Sequence, residues 1–457
     1  MSALRSTHFV VWLAVASLVA GCSGDGSQLS PADRSASFVT DRPQGHKHTA
    51  PIDHIIVLVQ ENRSFDNLFA TFPGADGATS GKTHDGRTVP LTKHVLGTLD
   101  VNHDYKTYLT DYDGGKMDGF DLSDFIHSKQ KVGTYPYMYV DPNDIKPYWT
   151  LAQQYALADH MFQTQGSGSF TAHQDLIAGA TAIDSTHSVI DTPLGSPWGC
   201  DAPPGTKTSL ITTSGQYQRA KGPFPCWNYP TGTLRDLLDA KHVSWKYYAP
   251  AYKAGSVGAL WNAFAAIQAV RQGPEWSTNI SIPQTNVFND ITNNKLAAVS
   301  WVIPDQPDSD HPGNGKGHDE GPSWIAQVVN AVGQSSYWNS CAIIIVWDDW
   351  GGFYDHEPPP FMDDAGGLGF RVPLIVVSPY IPAGEISHTQ FEFGSVLKFT
   401  EDTFGLGSLG TTDARATSIG KLFNFNQAPR AFSPIPSQRS RAYFLHQPPS
   451  YEPVDTE

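Results

Sequence analysis

Two short strings in this 457-residue chain concentrate side chains that can do chemistry, and each follows directly on an apolar run. Gln60-Glu61-Asn62-Arg63-Ser64-Phe65-Asp66 succeeds the run 54–59, and Asp348-Asp349-Trp350-Gly351-Gly352 succeeds the run 342–347. Glu61, Asp348, Asp349 and the Asn62 amide oxygen make a hard, oxygen-rich set. Like-charge repulsion opposes their convergence unless a divalent cation sits among them. Taken singly, either string also reads as a solvated turn or a helix cap. A third string, Gln165-Gly-Ser-Gly-Ser169-Phe-Thr171-Ala-His173-Gln, sets a Gly/Ser loop before a helix-compatible stretch. Ser169 at that helix N-terminus would meet free N–H groups that favour an alkoxide or a phosphate, and a base, dipole or metal could activate its hydroxyl. The competing reading makes Ser169 or Thr171 a simple N-cap. His103 and His311 lie in Asp-rich loops and His356 closely follows the acid pair. An imidazole there can protonate a leaving oxygen or bind a phosphoryl oxygen, and a neighbouring Asp fixes its tautomer.

The elements that must position these residues are short buried runs. Residues 54–59, 298–303, 342–347 and 372–377 are rich in Val and Ile and apolar on both faces, as strands of a covered, mostly parallel sheet are. Helical patterns lie between them, at 324–332 and 394–402. The fold class expected is therefore α/β: a mostly parallel central sheet sandwiched by helices, in one domain over 51–425. In such sheets ligands bind beyond the carboxyl ends of strands, which is where the two acidic strings fall. Residues 183–232 and 303–323 have little periodicity and many Gly, Pro and Asp, and are expected as long loop excursions. From 426 to 457 a Pro-rich tail should wrap the surface or fray.

Lys and Arg number 30 against 45 Asp and Glu, and the net charge of −15 argues against a nucleic-acid partner. Any phosphate chemistry must recruit its positive charge from elsewhere. Walker A, GxGxxG, GxSxG, HExxH and CxxC patterns are absent, which removes support for NTPase, dinucleotide, α/β-hydrolase and zincin readings. Residues 1–21 have the apolar core of a signal peptide and close on Leu18-Val-Ala-Gly21-Cys22, similar to a bacterial lipobox. Lipidated Cys22 would anchor the chain to a membrane through a flexible tether, 22–50, in the periplasm or on the outer membrane. Export permits disulfides, and a Cys200–Cys226 bridge is expected between two Pro/Gly/Trp-rich segments, leaving Cys341 as a buried thiol.

Several stretches together resemble the bacterial phosphoesterase family of non-specific phospholipases C and respiratory-burst-inhibiting acid phosphatases, related in fold to alkaline phosphatases. They are Ile55-Ile-Val-Leu-Val-Gln-Glu61-Asn62-Arg-Ser-Phe-Asp66, Met117-Asp-Gly-Phe120, the Ser169 loop with Leu176-Ile-Ala-Gly, Asp310-His311-Pro, Val346-Trp-Asp348-Asp349-Trp-Gly-Gly-Phe-Tyr-Asp-His356 and Arg371-Val-Pro-Leu-Ile-Val-Val-Ser-Pro379. The resemblance implies a phosphoric-ester hydrolase in which Glu61, Asn62, Asp348, Asp349 and Ser169 hold one divalent metal ion. Ser169 would be the nucleophile, forming a phosphoserine intermediate, and His103 and His311 would bind phosphoryl oxygens. The metal's identity stays open among Ca, Mg, Mn, Fe and Zn. The substrate would be a small-molecule phosphoester or a phospholipid head group. Many phospholipase C members carry Pro-Thr-x-Pro-Asn-Arg and Asp-Glu-His where this chain has Gly168-Ser169-Phe-Thr-Ala-His173-Gln and Asp348-Asp349-Trp350, which leans towards the acid-phosphatase branch. The rivals are a catalytically inactive surface-binding lipoprotein on the same fold and a sulfatase-like ester hydrolase. The second lacks the Cys/Ser-x-Pro-x-Arg string around Ser169.

Overall fold

Eight strands form the central sheet of the computed structural model, which describes residues 51–453 apart from 254, 314–318 and 361–366. In chain order they are β1 (His54–Gln60), β2 (Ala156–Ala158), β3 (Trp245–Tyr248), β4 (Ile280–Ser281), β5 (Val299–Val302), β6 (Cys341–Trp347), β7 (Leu374–Val377) and β8 (Glu385–Ser387). Their order across the sheet is β4-β3-β5-β1-β6-β7-β2-β8. Every neighbouring pair is parallel except the two made by β7, which runs against both β6 and β2. The signal peptide, lipobox and tether fall outside the described residues.

The centre of the sheet follows from β-branched residues that pack well on a pleated, doubly covered surface. β1 and β6 are almost wholly buried, and their register pairs Ile56 with Ile343 and Gln60 with Trp347. That register sets the end of one strand beside the end of the other, and Asp348 N–H donates to the Gln60 carbonyl at 3.0 Å. The acidic strings therefore leave the sheet side by side.

Four helices matter for the site: α1 (Phe65–Phe69), α2 (Ser169–Ala178), α3 (Glu320–Gly333) and α4 (Phe393–Phe404). The expected helices at 324–332 and 394–402 lie inside α3 and α4. In α3 the residues Trp324, Ile325, Val328, Val329 and Val332 are fully buried, the 3.6-residue repeat of a helix facing a core. α4 packs against α2.

The segment 183–232 is not the loop excursion expected. It contains a separate antiparallel sheet of His187–Leu194, Lys207–Thr212 and Tyr217–Gln218. Its strands do not show as apolar runs because Ser, Thr and Asp alternate with few apolar residues, so cross-strand pairs such as Val189 with Leu210 carry the packing. The Cys200–Cys226 disulfide is formed and Cys341 is a buried free thiol. Near the C-terminus, Asn330 Nδ2 donates to the Ile435 carbonyl at 2.9 Å and Phe444 packs on Trp324, so this stretch lies against α3. Among the described residues no helix is long and apolar enough to cross a membrane.

Candidate active site

Beyond the carboxyl ends of β1 and β6 the two chains turn differently. Asn62 adopts a left-handed conformation, φ 54°, which its short polar side chain tolerates better than most. Opposite it, Gly351 has φ 63°, and a Cβ there would lie 2.3 Å from the Asn62 carbonyl oxygen. Only glycine allows this approach. The main chain of Asn62 then donates to Asp348 Oδ1 at 3.0 Å.

Asn62 is the hub. Its Nδ2 lies 2.7 Å from His103 Nε2, 3.3 Å from Asp349 Oδ2 and 3.4 Å from Ser169 Oγ. Ser169 Oγ is in turn 3.2 Å from Asp349 Oδ2. Ser169 is the first residue of α2, and Gly168, which has no side chain to cap the helix, precedes it. The Thr171 hydroxyl faces the other way, towards Ser167 Oγ and the Gly168 carbonyl. Of the two hydroxyls, Ser169 is thus the one that meets Asn62 and Asp349.

One turn further along α2, His173 shares the face of Ser169. Its Nε2 is 3.0 Å from Glu61 Oε1 and 3.7 Å from Asp348 Oδ2, and its ring stacks on Trp261. Burial pushes the His173 imidazole down to about 4, against the opposing pull of Asp348. Glu61, His173 and Asp348 each offer one donor atom, all within 4.8 Å of one another. Asp348 Oδ2 is buried without a hydrogen-bond partner among the described residues. An anionic oxygen in that state fits a cation, and the donor chemistry is that of a divalent metal.

The imidazoles of His103 and His311 lie 6.5 Å apart between ring centroids. His103 Nδ1 is 2.6 Å from the Val101 carbonyl, which can only accept, so Nδ1 carries a proton. Arg63 tethers the loop that bears His311: its Nε and Nη2 donate to the Asp310 carbonyl at 2.9 and 2.7 Å. The Asp310 carboxylate accepts from Tyr148 Oη at 2.8 Å and from Trp347 Nε1 at 2.9 Å. Burial raises its carboxyl to about 6 even though Arg63 pulls it back.

The profile of the Phosphoesterase family matches residues 52–407. The chain belongs to that family. It is 24 % identical to the non-hemolytic phospholipase C of Pseudomonas aeruginosa over 89 % of this chain and 62 % of that protein. It is 26 % identical to phospholipase C A of Mycobacterium tuberculosis over 85 % of this chain and 80 % of that protein. The chain thus spans less than two thirds of the Pseudomonas protein's length. A solved alkaline-phosphatase-superfamily protein from Vibrio parahaemolyticus overlaps 82 % of this chain and 74 % of its own at TM-score 0.37 and 10 % identity. That overlap is slight, and the fold assignment rests on the sheet itself.

For this phosphoesterase-family chain, the structure brings together Glu61, Asn62, His103, Ser169, His311, Asp348 and Asp349. His356 stands in a different group: its Nδ1 is 2.7 Å from Asp66 Oδ2 and its Nε2 3.4 Å from Asp76 Oδ1. Gly351 and Gly352 both turn through positive φ and carry the following residues towards Asp66. His173 joins the Glu61 and Asp348 carboxylates although no local motif marks it. Its spacing of four from Ser169 on a helix was the available signal.

Proposed function

We propose that this chain hydrolyses phosphoric esters by attack of Ser169 Oγ on phosphorus. The observation that carries the reading is the convergence of the Ser169 hydroxyl with Asn62 and Asp349 at the ends of β1 and β6, beside the imidazoles of His103 and His311. Asp349 Oδ2, 3.2 Å away, accepts the hydroxyl proton as the Oγ–P bond forms and the bond from phosphorus to the leaving oxygen breaks. Water then hydrolyses the phosphoserine and restores the serine. Asn62 Nδ2 orients the hydroxyl and Asp349 together, which is the positioning that phosphoryl transfer chiefly requires. His103 holds one proton on the Val101 carbonyl, so donation from Nε2 to a phosphoryl oxygen requires the doubly protonated ring. His311, half-buried on the same side, likewise holds its Nδ1 proton on the Pro312 carbonyl at 2.6 Å, so it supplies the leaving oxygen with a proton from Nε2 only as the doubly protonated ring.

Glu61, Asn62, Ser169, Asp348 and Asp349, now with His173, are the residues that would hold a divalent metal. Such an ion neutralises phosphate charge and lowers the pKa of a hydroxyl. An imidazole among the donors favours a first-row transition ion over Ca or Mg.

The phospholipases C among the relatives support a phospholipid diester as one substrate class, and the serine nucleophile with Asp348-Asp349 supports a phosphomonoester. Hydrolysis of an aryl phosphomonoester, an aryl phosphocholine and phosphatidylcholine, each with and without chelator, tests the reading. Metal-dependent turnover of at least one is expected, and the preferred member assigns the class. No turnover of any ester by the metal-loaded protein overturns the proposal in favour of a surface-binding role.

A further inference from the structure

Asp159 and His160 follow the carboxyl end of β2, and His388 follows β8, its parallel neighbour at the edge of the sheet. The register Ala158 to Ser387, continued by the Asp159 amide donating to the Ser387 carbonyl at 3.1 Å, places Asp159 beside His388. The two imidazoles engage the two oxygens of one carboxylate. His160 Nδ1 is 2.8 Å from Asp159 Oδ1, and His388 Nδ1 is 2.8 Å from Asp159 Oδ2. The Asp159 side chain is fully buried, whereas the His388 side chain is 60 % exposed, so the group opens to solvent on one side only.

The charge balance of this carboxylate is unusual. Its remaining contact is the Asp76 amide at 2.8 Å, and among the described residues no Lys or Arg reaches its oxygens. Arg371 comes close but ends on the Asp159 main-chain carbonyl at 2.8 Å. Burying an anion without a fixed counter-charge is costly unless it is paired or coordinated. A fourth group is set for an outer role: Asp76 Oδ2 lies 3.5 Å from His160 Nε2. When Nδ1 binds a metal the proton resides on Nε2, and a carboxylate beside that nitrogen orients the ring and strengthens it as a donor.

We propose that Asp159, His160 and His388 form a second divalent-metal site for a zinc-class ion, at the sheet edge and apart from the Ser169 cluster. Two imidazoles and one carboxylate, with solvent available for the last position, are the donors zinc takes. The ion links β2 to β8 through side chains that begin from adjacent strand ends.

The test is equilibrium dialysis of the whole protein against Zn2+, with bound metal counted per chain, together with Co2+ titration followed by visible absorption. His388→Ala removes an exposed ring and leaves the Ser169 cluster intact. It is expected to bind one Zn2+ fewer than the parent at unchanged hydrolytic rate, and His160→Ala to do the same. Asp76→Ala should weaken the site by about 10- to 100-fold. In an Asp348→Asn background the edge ion remains, and adding His388→Ala removes it, whatever becomes of the proposal for Ser169. Equal Zn2+ content in the parent, His388→Ala and His160→Ala overturns the inference. So does an Asp348→Asn protein that folds and binds no Zn2+.

Discussion

The same two loops build two acidic clusters of opposite design. Glu61, Asn62, Asp348 and Asp349 leave β1 and β6 and meet a helix bearing Ser169 and His173. A few residues on, Asp66 and Asp355 meet Arg371, whose Nε donates to Asp355 Oδ1 at 2.8 Å and whose Nη2 lies 3.5 Å from Asp66 Oδ1. All three of these side chains are fully buried. Burial raises the Asp355 carboxyl to about 6, with Arg371 opposing the rise. The second cluster carries its own cation and is an internal brace. In the first, two backbone amides hold Asp348 Oδ1, and Oδ2, with the His173 imidazole 3.7 Å away, lacks a hydrogen-bond partner among the described residues. A protein that supplies a guanidinium to buried carboxylates a few residues further along the same two loops and, among the described residues, none to Asp348, leaves room there for a removable charge.

Breaking the first cluster should cost rate, and breaking the second should cost stability. Ser169→Ala is expected to lower turnover of an aryl phosphomonoester by about a thousandfold or more while the near-UV circular dichroism is retained. A loss below tenfold would remove Ser169 from the nucleophile's role. Arg371→Met leaves Asp355 buried without its guanidinium and Asp66 with His356 alone. It should lower unfolding free energy by about 3 to 5 kcal/mol in urea, while the folded fraction keeps a rate within tenfold of the parent. A large rate loss at intact stability would merge the two clusters into one functional unit.

A smaller effect probes the edge of the brace. Burial alone would lower the His356 imidazole, but the hydrogen bond and charge of Asp66, then Asp355, outweigh it and raise the group to about 9. Its folded value exceeds the unfolded reference near 6.5, so its stabilisation is fully present below about pH 6.5 and lost as pH rises through about 9. His356→Gln should therefore cost up to about 3 kcal/mol near pH 6 and much less near pH 10, read as the gap between urea midpoints. A pH-independent gap would show that the ring acts only by packing. The smallest effect is expected of Thr171→Val, whose hydroxyl turns from the cluster towards Ser167. Its rate should change by less than about threefold, and a loss comparable to Ser169→Ala would exchange the two assignments.

What the sequence shows of this arrangement depends on how local the determinants are. β1 and β6 are legible because each is a continuous Val/Ile run whose last residue abuts the acids, and strand pairing then does the rest. The helix beginning at Ser169 and the bond between Cys200 and Cys226 are legible for similar reasons of local composition. The strands β2, β4 and β8 are only two or three residues long, and what makes them strands is the neighbour each pairs with, distant in the chain. His173 is hidden because a single imidazole in a helix carries no label, and its meaning comes from Glu61, more than a hundred residues earlier. His356 misleads in the opposite sense. Nearness in sequence to Asp349 suggested nearness in space, and two glycines with positive φ redirect the chain in between.

The reversed strand β7 has an architectural consequence. Because it runs against β6, the stretch from Asp348 to the start of β7 departs from one rim of the sheet and returns to that same rim without crossing to the far side. Such a hairpin-like excursion needs no threading past neighbouring elements, and the entropic cost of lengthening it grows only logarithmically. The rim that carries the serine and the acids can therefore acquire new covering sequence at this point while every strand keeps its place.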